Sequence, residues 1–311
     1  MRDAFIAALA EATASDPSII LMTGDLGFNV LDNFEAAHPN SYLNVGVAEQ
    51  NMAMLATGCA LSGRTVFTYS IANFPTLRCL EMLRNDVTYH DAAVVTVAVG
   101  GGYSYGPLGM SHHATEDLAI LRAIPGMTVV APSDTFEVVG ATHALIEAGR
   151  PAYLRIDKSQ STHEPTAGER FELGKARRLR DGDDLTVISC GGVTGQVLAA
   201  VDHLANLGMA IGALSMHTVK PIDSEAIQLA ATTTGGIVTV EEHVSTGGLG
   251  SAVLEVLGDA EIWPRRFHRC ALDPNTWAGV GTQDHLRSLA GLDQHSLAKE
   301  FERVLQTTSA P

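Results

Sequence analysis

The fold of this chain is decided by one stretch, Asn44-Val45-Gly46-Val47-Ala48-Glu49-Gln50-Asn51-Met52. A short strand-like run, residues 41–44, leads into it, and an apolar segment beginning at Met52 follows it with no glycine until Gly58. Glu49 is therefore predicted at a strand-to-helix turn, where a side chain is presented to the crevice at the carboxyl end of a sheet. The helix dipole alone also favours a carboxylate in a first helical turn, so the rest of the sequence must decide between a chemical and a structural role.

Length and composition predict a globular protein of two domains. The chain has 311 residues, of which 46% are hydrophobic and 18% charged, enough to bury two cores. Its formal net charge is −15, from 20 basic and 35 acidic residues, and no basic stripe offsets this charge. This balance argues against nucleic acid as a partner, because the phosphate backbone would be repelled.

Cysteine usage and hydropathy predict a cytoplasmic location. The four cysteines, at positions 59, 79, 190 and 270, form no CxxC pair and are expected to be buried thiols in a reducing compartment. No apolar run reaches the roughly 18 residues of a membrane span. The first residues do not resemble a signal peptide, so no membrane contact is expected.

Strand-like and helix-like runs alternate over residues 1–160. The run from Ala92 to Val99 is almost continuously apolar, as is typical of a parallel strand covered by helices on both faces. We predict strands at 18–22, 64–69, 92–99, 127–131 and 151–156, with helices at 3–14, from Glu49, at 75–87, from 115 and after 132–134. This order indicates a doubly wound α/β domain.

A second α/β unit is predicted at 185–311, after a polar linker at 161–184 that could include one edge strand. Its predicted strands are 185–189, 210–215, 237–241 and 267–271, and its predicted helices are 193–205, 224–230 and 249–257. The fold class is therefore α/β, with two doubly wound domains in tandem.

A loop rich in glycine, Gly-Gly-Gly-Tyr-Ser-Tyr-Gly-Pro-Leu-Gly-Met-Ser-His-His-Ala-Thr, spans residues 100–115. It lies between a buried strand and a helix, which places it on the same sheet edge as Glu49. Glycines let a backbone approach a ligand closely, and His112 and His113 titrate near neutral pH. The alternative is a flexible surface loop in which His113 caps a helix. Tyr103 and Tyr105 either shape a substrate channel or lie in solvent.

An aromatic segment, Tyr69-Ser70-Ile71-Ala72-Asn73-Phe74, ends the third predicted strand. Aromatic rings at the mouth of a sheet crevice can stack on a flat heterocycle. Aromatic residues at such positions are otherwise part of the core.

Together, these segments resemble the transketolase family of thiamine-diphosphate enzymes. The matching segments are the glutamate motif at 46–50, Phe74 with 78–85 behind it, the substrate-histidine loop at 109–112 with 116–117 and 122–127, and the stretches 239–243 and 247–250. The resemblance extends over most of the chain. It implies a pyrimidine-binding domain of the thiamine-diphosphate fold followed by a transketolase C-terminal-like domain.

The resemblance also implies a missing partner. Enzymes of this family hold the diphosphate and its Mg²⁺ with a Gly-Asp-Gly motif and a downstream Asn, and this sequence contains no Gly-Asp-Gly. Diphosphate needs a divalent cation with oxygen ligands. The chain is therefore expected to be the C-terminal subunit of a two-component transketolase. The resemblance implies an α2β2 assembly in which the N-terminal subunit holds most of the thiamine diphosphate and the Mg²⁺.

The same resemblance assigns roles to individual residues. Glu49 and His112 are the implied catalytic residues, one at the cofactor's pyrimidine and the other at the sugar. The implied cofactor contacts are Glu49, Phe74, Tyr69 and Asp25; the alternative role for Asp25 is to cap the turn that follows it. The implied substrate contacts are His112, His113, Leu108 and Lys158. The implied reaction moves a two-carbon ketol unit from a ketose donor to an aldehyde acceptor, with the cofactor as electron sink.

Three departures from the family pattern bear on the substrate. Pro107-Leu108-Gly109 stands where classical transketolases have Glu-Asp-Gly, and Gly100 stands where they have a histidine. Lys158 falls where a phosphate-binding arginine is expected, although Arg155 is close. These changes make the pocket less polar and predict a modified, sulfonated or non-phosphorylated sugar.

Other functions are compatible with parts of this pattern. A 2-oxo acid dehydrogenase β subunit and a deoxyxylulose-phosphate-synthase-like acyloin synthase share the fold, and a non-catalytic paralogue would also have it. The Ser-His-His-Ala loop and the 78–85 segment favour a transketolase, and retention of Glu49, Phe74 and His112 argues against a non-catalytic protein. His243, after two acids, is interpreted as a structural residue at a domain or subunit interface.

Overall fold

Two β-sheets organise the chain, which the computed structural model describes from Met1 to Gln306. The strands are β1 (Ile19–Thr23), β2 (Tyr42–Asn44), β3 (Thr65–Ile71), β4 (Val94–Val99), β5 (Thr128–Val130), β6 (Ala152–Ile156), β7 (Arg177–Arg180), β8 (Leu185–Ser189), β9 (Ile211–Ser215), β10 (Thr218–Lys220), β11 (Ile237–Val244) and β12 (Phe267–Leu272). Residues 307–311, the end of the predicted domain 185–311, lie outside the described residues.

Helices cover the sheets and connect the parallel strands. They are α1 (Arg2–Ser15), α2 (Asp32–Ala37), α3 (Glu49–Leu61), α4 (Asn73–Thr76), α5 (Leu80–Met82), α6 (Asp117–Ala123), α7 (Thr135–Ala148), α8 (Thr194–Ala205), α9 (Ser224–Thr233), α10 (Leu249–Asp259), α11 (Gln283–Leu289) and α12 (Gln294–Gln306). The helices α11 and α12 follow the last strand and were not predicted from the sequence.

The strand orders confirm the predicted α/β class. The first sheet runs β10-β5-β6-β4-β3-β1-β2 and the second runs β12-β11-β8-β9-β7. Within the first sheet all pairs are parallel except β10 with β5, and within the second all are parallel except β7 with β9. Every residue of β4 is buried, as its apolar run predicts.

The two units share an apolar core. One cluster of buried side chains contains Leu121 from the first unit and Val253 from the second. The strand β10 belongs to the second half of the chain but pairs with β5 in the first sheet. The predicted domain boundaries at 160 and 184 assign β10 to the second domain, although it pairs in the first sheet. The boundaries stay a prediction. The segment 161–184 contributes β7 to the edge of the second sheet.

One predicted helix was wrong in its continuity. Residues 75–87 were expected to form a single helix, but the structure has α4, α5 and a π-helical segment, Leu83–Thr88. The residues 77–79 between α4 and α5 form a turn, and Leu77, expected on an apolar face, is exposed. The interruption presents residue 78 toward the edge of the sheet.

Among the helices of residues 1–306, none is long and apolar enough to cross a membrane.

Candidate active site

Glu49 lies at the strand-to-helix turn predicted for it. Strand β2 ends at Asn44, whose side-chain oxygen accepts hydrogen bonds from the backbone N–H groups of Asp25 (3.1 Å) and Gly46 (3.0 Å). These bonds join the end of β1 to the turn that begins α3 with Glu49. The Glu49 side chain is only 2% exposed. A buried carboxylate at the carboxyl end of a parallel sheet is consistent with a ligand-binding crevice.

Arg78 is the charged partner of Glu49. Its Nη1 atom lies 2.5 Å from Oε2 of Glu49. The guanidinium also lies over the ring of Phe74, with Cζ 4.8 Å from the ring centroid. The amide of Gln50 donates a hydrogen bond to the carbonyl oxygen of Arg78 (3.1 Å), which fixes the turn between α4 and α5. Because the Arg78 side chain is 46% exposed, this charge pair reaches the surface of the crevice.

Aromatic rings continue along the sheet edge from Phe74. The ring of His112 lies 5.2 Å from that of Phe74, edge to face at 65°, and 6.2 Å from that of Tyr105. The backbone next to His112 is held by Asn73, whose amide donates to the carbonyl oxygen of Ser111 (2.7 Å). The hydroxyl of Ser111 lies 3.0 Å from Nδ1 of His112. The histidine is therefore oriented by its neighbour and by two aromatic rings.

Lys158 lies next to Tyr105, at the far end of this series of side chains from Glu49. Its Nζ atom lies 3.5 Å from the centroid of the Tyr105 ring, a cation–π contact. Burial lowers the pKa of Lys158, and the nearby charge of Arg2 lowers it further. Burial also raises the pKa of the Tyr105 phenol. We call the five side chains that run along the sheet edge from the carboxyl of Glu49 the rim row: Arg78, Phe74, His112, Tyr105 and Lys158.

Two residues predicted to contact a cofactor have partners outside the rim row. Tyr69 is buried in the core, where its ring stacks on Phe5 with a centroid distance of 6.5 Å, and burial raises its pKa. Asp25 is exposed, and its carboxylate accepts a hydrogen bond from the amide of Asn44 (3.1 Å). Asp25 has a left-handed backbone (φ 58°). In this structure its carboxylate pairs with the residue that opens the Glu49 turn.

Two residues predicted to contact the substrate, His113 and Leu108, are also not members of the rim row. His113 is buried, packs edge to face on Tyr103 at 5.2 Å and has its pKa lowered by burial. It lines a separate cavity of about 440 Å³, between the loop and the segment 272–278 of the second unit. Leu108 is exposed in a short 3₁₀ turn, Gly106–Leu108. His112 and His113, adjacent in the sequence, thus pack against different aromatic rings.

Packing inside the chain requires glycine at the first positions of the 100–115 loop. A Cβ atom on Gly101 would lie 1.7 Å from Nε of the buried Arg155. A Cβ on Gly102 would lie 2.6 Å from Cγ of Glu242, in the second unit. The same Glu242 accepts the backbone N–H of Tyr103 (2.5 Å). Without side chains at these positions, the backbone of the loop packs directly against the buried charged residues Arg155 and Glu242, one from each unit.

Sequence reasoning left two members of the rim row without a role. Arg78 was counted only within the 78–85 segment, and Tyr105 was left undecided between a channel and solvent. The spacing of four residues between Phe74 and Arg78 was the available signal for Arg78. No sequence signal placed Tyr105 beside Lys158, because the two are 53 positions apart.

Two family descriptions cover most of the chain. Residues 1–163 match the description "Transketolase, pyrimidine binding domain", and residues 174–297 match "Transketolase, C-terminal domain". A solved structure described as a split gene transketolase in an inactive beta4 tetramer superposes with a TM-score of 0.88 at 31% identity. The superposition covers 98% of this chain and 97% of that one.

Two curated relatives align over most of their length. An apulose-4-phosphate transketolase subunit from Phocaeicola vulgatus is 36% identical over 264 residues, which cover 84% of each chain. A 6-deoxy-6-sulfo-D-fructose transketolase subunit from a Clostridium species is 32% identical over 307 residues, which cover 98% of this chain and 94% of the relative. This chain therefore belongs to the transketolase family and has that family's pyrimidine-binding domain followed by its C-terminal domain.

Proposed function

We propose that this chain is the C-terminal subunit of a two-component transketolase and acts only with a separate diphosphate-binding subunit. Its reaction moves a two-carbon ketol unit from a ketose donor to an aldehyde acceptor. One observation carries the proposal: the buried carboxyl of Glu49 lies at the start of the rim row that leads past Phe74 to His112. This order matches a cofactor end followed by a sugar end.

The residues around Glu49 fit the aminopyrimidine of thiamine diphosphate. Gly24 faces the carboxyl group, and even a Cβ atom there would lie 3.4 Å from Cγ of Glu49. The absence of a side chain leaves room for a flat ring beside the carboxyl. Phe74 is partly exposed; the guanidinium of Arg78 covers one face of its ring, and in our proposal the other face stacks on the cofactor. Tyr69 and Asp25 remain proposed contacts of the cofactor from the ends of β3 and β1.

When bound, thiamine diphosphate supplies a nucleophilic carbon and an electron sink that side chains cannot provide. In our proposal the buried carboxyl of Glu49 donates a proton to the pyrimidine nitrogen N1′. Phe74 orients the ring and excludes water from it. His112 hydrogen-bonds the sugar hydroxyls and moves a proton at the sugar carbonyl oxygen.

The far end of the rim row suits a sugar that ends in an anion. Lys158 provides the positive charge, and Leu108 and His113 are the remaining proposed contributors from the loop. The relatives described above are named for apulose 4-phosphate and for 6-deoxy-6-sulfo-D-fructose, two modified sugars with anionic ends. We therefore propose a modified sugar that carries a phosphate or sulfonate.

An apolar surface around Glu49 supports the need for a partner. Val47 is 75% exposed, two residues before Glu49, and Met54 and Leu55 are exposed on the outer face of α3. Leu77, also exposed, follows α4 in the turn beside Arg78. Exposed apolar side chains grouped around a crevice are typical of protein interfaces. We propose that the N-terminal subunit covers this surface in an α2β2 assembly and holds the diphosphate with Mg²⁺.

We further propose that the assembly works in the cytoplasm and that residues 1–160 and 185–311 form its two domains, with 161–184 as linker. All four cysteines are free thiols, which supports a reducing compartment.

The test is reconstitution with a diphosphate-binding subunit, followed by two assays on the same preparation. The complex is expected to transfer a ketol unit from a ketose to an aldehyde, and not to decarboxylate 2-oxo acids onto a lipoyl acceptor. Calorimetry should detect tight thiamine diphosphate binding by the complex with Mg²⁺ and none by the single chain. Tight binding by the single chain, or decarboxylation without ketol transfer, contradicts the proposal.

A further inference from the structure

The end of β4 has no room for a side chain. Gly100 follows the strand with a left-handed backbone (φ 89°), and its N–H donates to the carbonyl oxygen of Ile156 (2.7 Å). A Cβ atom on Gly100 would lie 2.2 Å from Cε2 and 2.4 Å from Cδ2 of Tyr105. Both distances are far below carbon–carbon contact. The ring of Tyr105 therefore fills the space directly in front of this backbone.

The ring is held in that position from two sides. The ammonium nitrogen of Lys158 lies over the ring, 3.5 Å from its centroid, and the centroid of the His112 ring lies 6.2 Å away. The hydroxyl of the neighbouring Ser104 donates to the carbonyl oxygen of Gly101 (2.8 Å), which closes the turn that carries Tyr105. A half-buried ring with these contacts has a fixed place.

We propose that Tyr105 is the specificity-determining residue of the substrate site and selects sugars of short chain length. This inference rests on the proposed function, because it takes the Glu49 end of the rim row as the cofactor end. A sugar that starts there extends past His112 along the sheet edge toward Lys158. The ring of Tyr105 fills the space in front of Gly100 and so limits how many carbons fit between the cofactor end and the charge of Lys158.

Aldehyde acceptors of increasing length test this limit in the reconstituted complex. The probes are glycolaldehyde, glyceraldehyde, erythrose and ribose, with one common ketose donor. Tyr105→Ala is expected to raise kcat/KM for ribose relative to glycolaldehyde by about tenfold or more, because pocket shape is worth this much discrimination. Tyr105→Phe should keep the wild-type order, since it keeps the ring. An unchanged order of acceptors in Tyr105→Ala overturns the inference.

Tyr103→Phe is the matched control, because Tyr103 lies in the same loop but lines the separate cavity beside His113. It should leave the order of acceptors unchanged. If Tyr105→Ala does not fold, Tyr105→Leu replaces it, since leucine keeps an apolar side chain but lacks the outer part of the ring. A shift toward long acceptors in Tyr103→Phe equal to that in Tyr105→Ala would also overturn the inference.

A double-mutant cycle in the full chain alone separates this inference from the proposed function. Gly100→Ala should lower the urea midpoint strongly in the wild type and less in Tyr105→Ala, because the clash with the ring is then absent. Additive effects show that the ring does not occupy this space and overturn the inference. Coupled effects without ketol transfer by the wild-type complex would leave the geometry intact, contradict the proposed function and thereby remove the substrate assignment.

Discussion

Replacing Glu49 by Gln tests the centre of the proposed site. The substitution keeps the shape of the side chain and an oxygen that can accept the hydrogen bond from Arg78, now 2.5 Å from Oε2. Because Arg78 is 46% exposed, solvent screens the lost charge pair, and we expect the free energy of unfolding to fall by only about 1 kcal/mol. An amide cannot hold or transfer a proton at this position. Positioned general acids and bases contribute about 10²–10⁴ in rate, so exchange of the cofactor's C2 proton should slow at least a hundredfold.

The assay is deuterium exchange at C2 of thiamine diphosphate in the reconstituted complex, quenched with acid and read by proton NMR. Glu81→Gln is the matched control, because Glu81 is an exposed carboxylate on α5, close to the same site in sequence. This control should exchange at the wild-type rate. Calorimetry on each variant shows whether the cofactor is bound before exchange is compared. Exchange in a loaded Glu49→Gln complex within tenfold of the wild type would refute the role of this carboxyl group.

Three further predictions concern packing, pH and assembly. Gly101→Ala should lower the free energy of unfolding by about 3 kcal/mol, because its Cβ would lie 1.7 Å from Nε of the buried Arg155. Gly58→Ala is the control, because a Cβ atom at this position inside α3 meets nothing within 4 Å. In urea titrations it should raise the free energy of unfolding by up to about 1 kcal/mol. An equal loss of unfolding free energy in Gly101→Ala and Gly58→Ala would contradict the packing argument. Burial lowers the pKa of His217 to about 3, so the wild type should lose stability as pH falls from about 6.5 toward 3, by at most about 1.4 kcal/mol per pH unit. In His217→Gln the urea midpoint should no longer fall between pH 7, 6 and 5. An equal fall of the midpoint with pH in the variant and the wild type would contradict this role of His217. Val47→Asp should weaken association with the N-terminal subunit at least about tenfold in sedimentation experiments, because it places a charge on the exposed apolar surface. Its unfolding midpoint should not change. Unchanged association would exclude this surface as the interface.

Local sequence patterns were sufficient for most of the fold. The continuous apolar run of β4 and the turn before Glu49 are encoded within a few residues, and both occur where the sequence predicts them. Strand β10 was missed because its three residues are held by pairing with β5, about ninety positions earlier, and not by a pattern of their own. Short strands of this kind depend on tertiary contacts that periodicity does not record.

The residues of the site also divide into those that the sequence indicated and those that depend on tertiary contacts. Glu49, Phe74 and His112 were singled out because their segments resemble motifs of the transketolase family, and the structure brings the three side chains to one sheet edge. Arg78 was missed because the apolar spacing of residues 75–87 reads as one continuous helix, whereas a turn at 77–79 presents it to Glu49. The place of Tyr105 depends on the missing side chain at position 100, a steric fact that appears only in three dimensions.

The second unit gives the loop its fixed position. Glu242 is fully enclosed, and its carboxylate accepts hydrogen bonds from the backbone of Tyr103 (2.5 Å), the amide of Gln283 (3.1 Å) and Nε of Arg287 (2.5 Å). Burial raises the pKa of Glu242, and the charge of Arg287 opposes this shift. A buried carboxylate whose partners come from both units ties their relative placement to the loop, because loss of Arg287 would leave its charge unpaired and loss of either neutral donor would leave a hydrogen bond unmade. The C-terminal unit, which contributes no side chain to the rim row, therefore acts on the site by holding the backbone from which Tyr105 and His112 project.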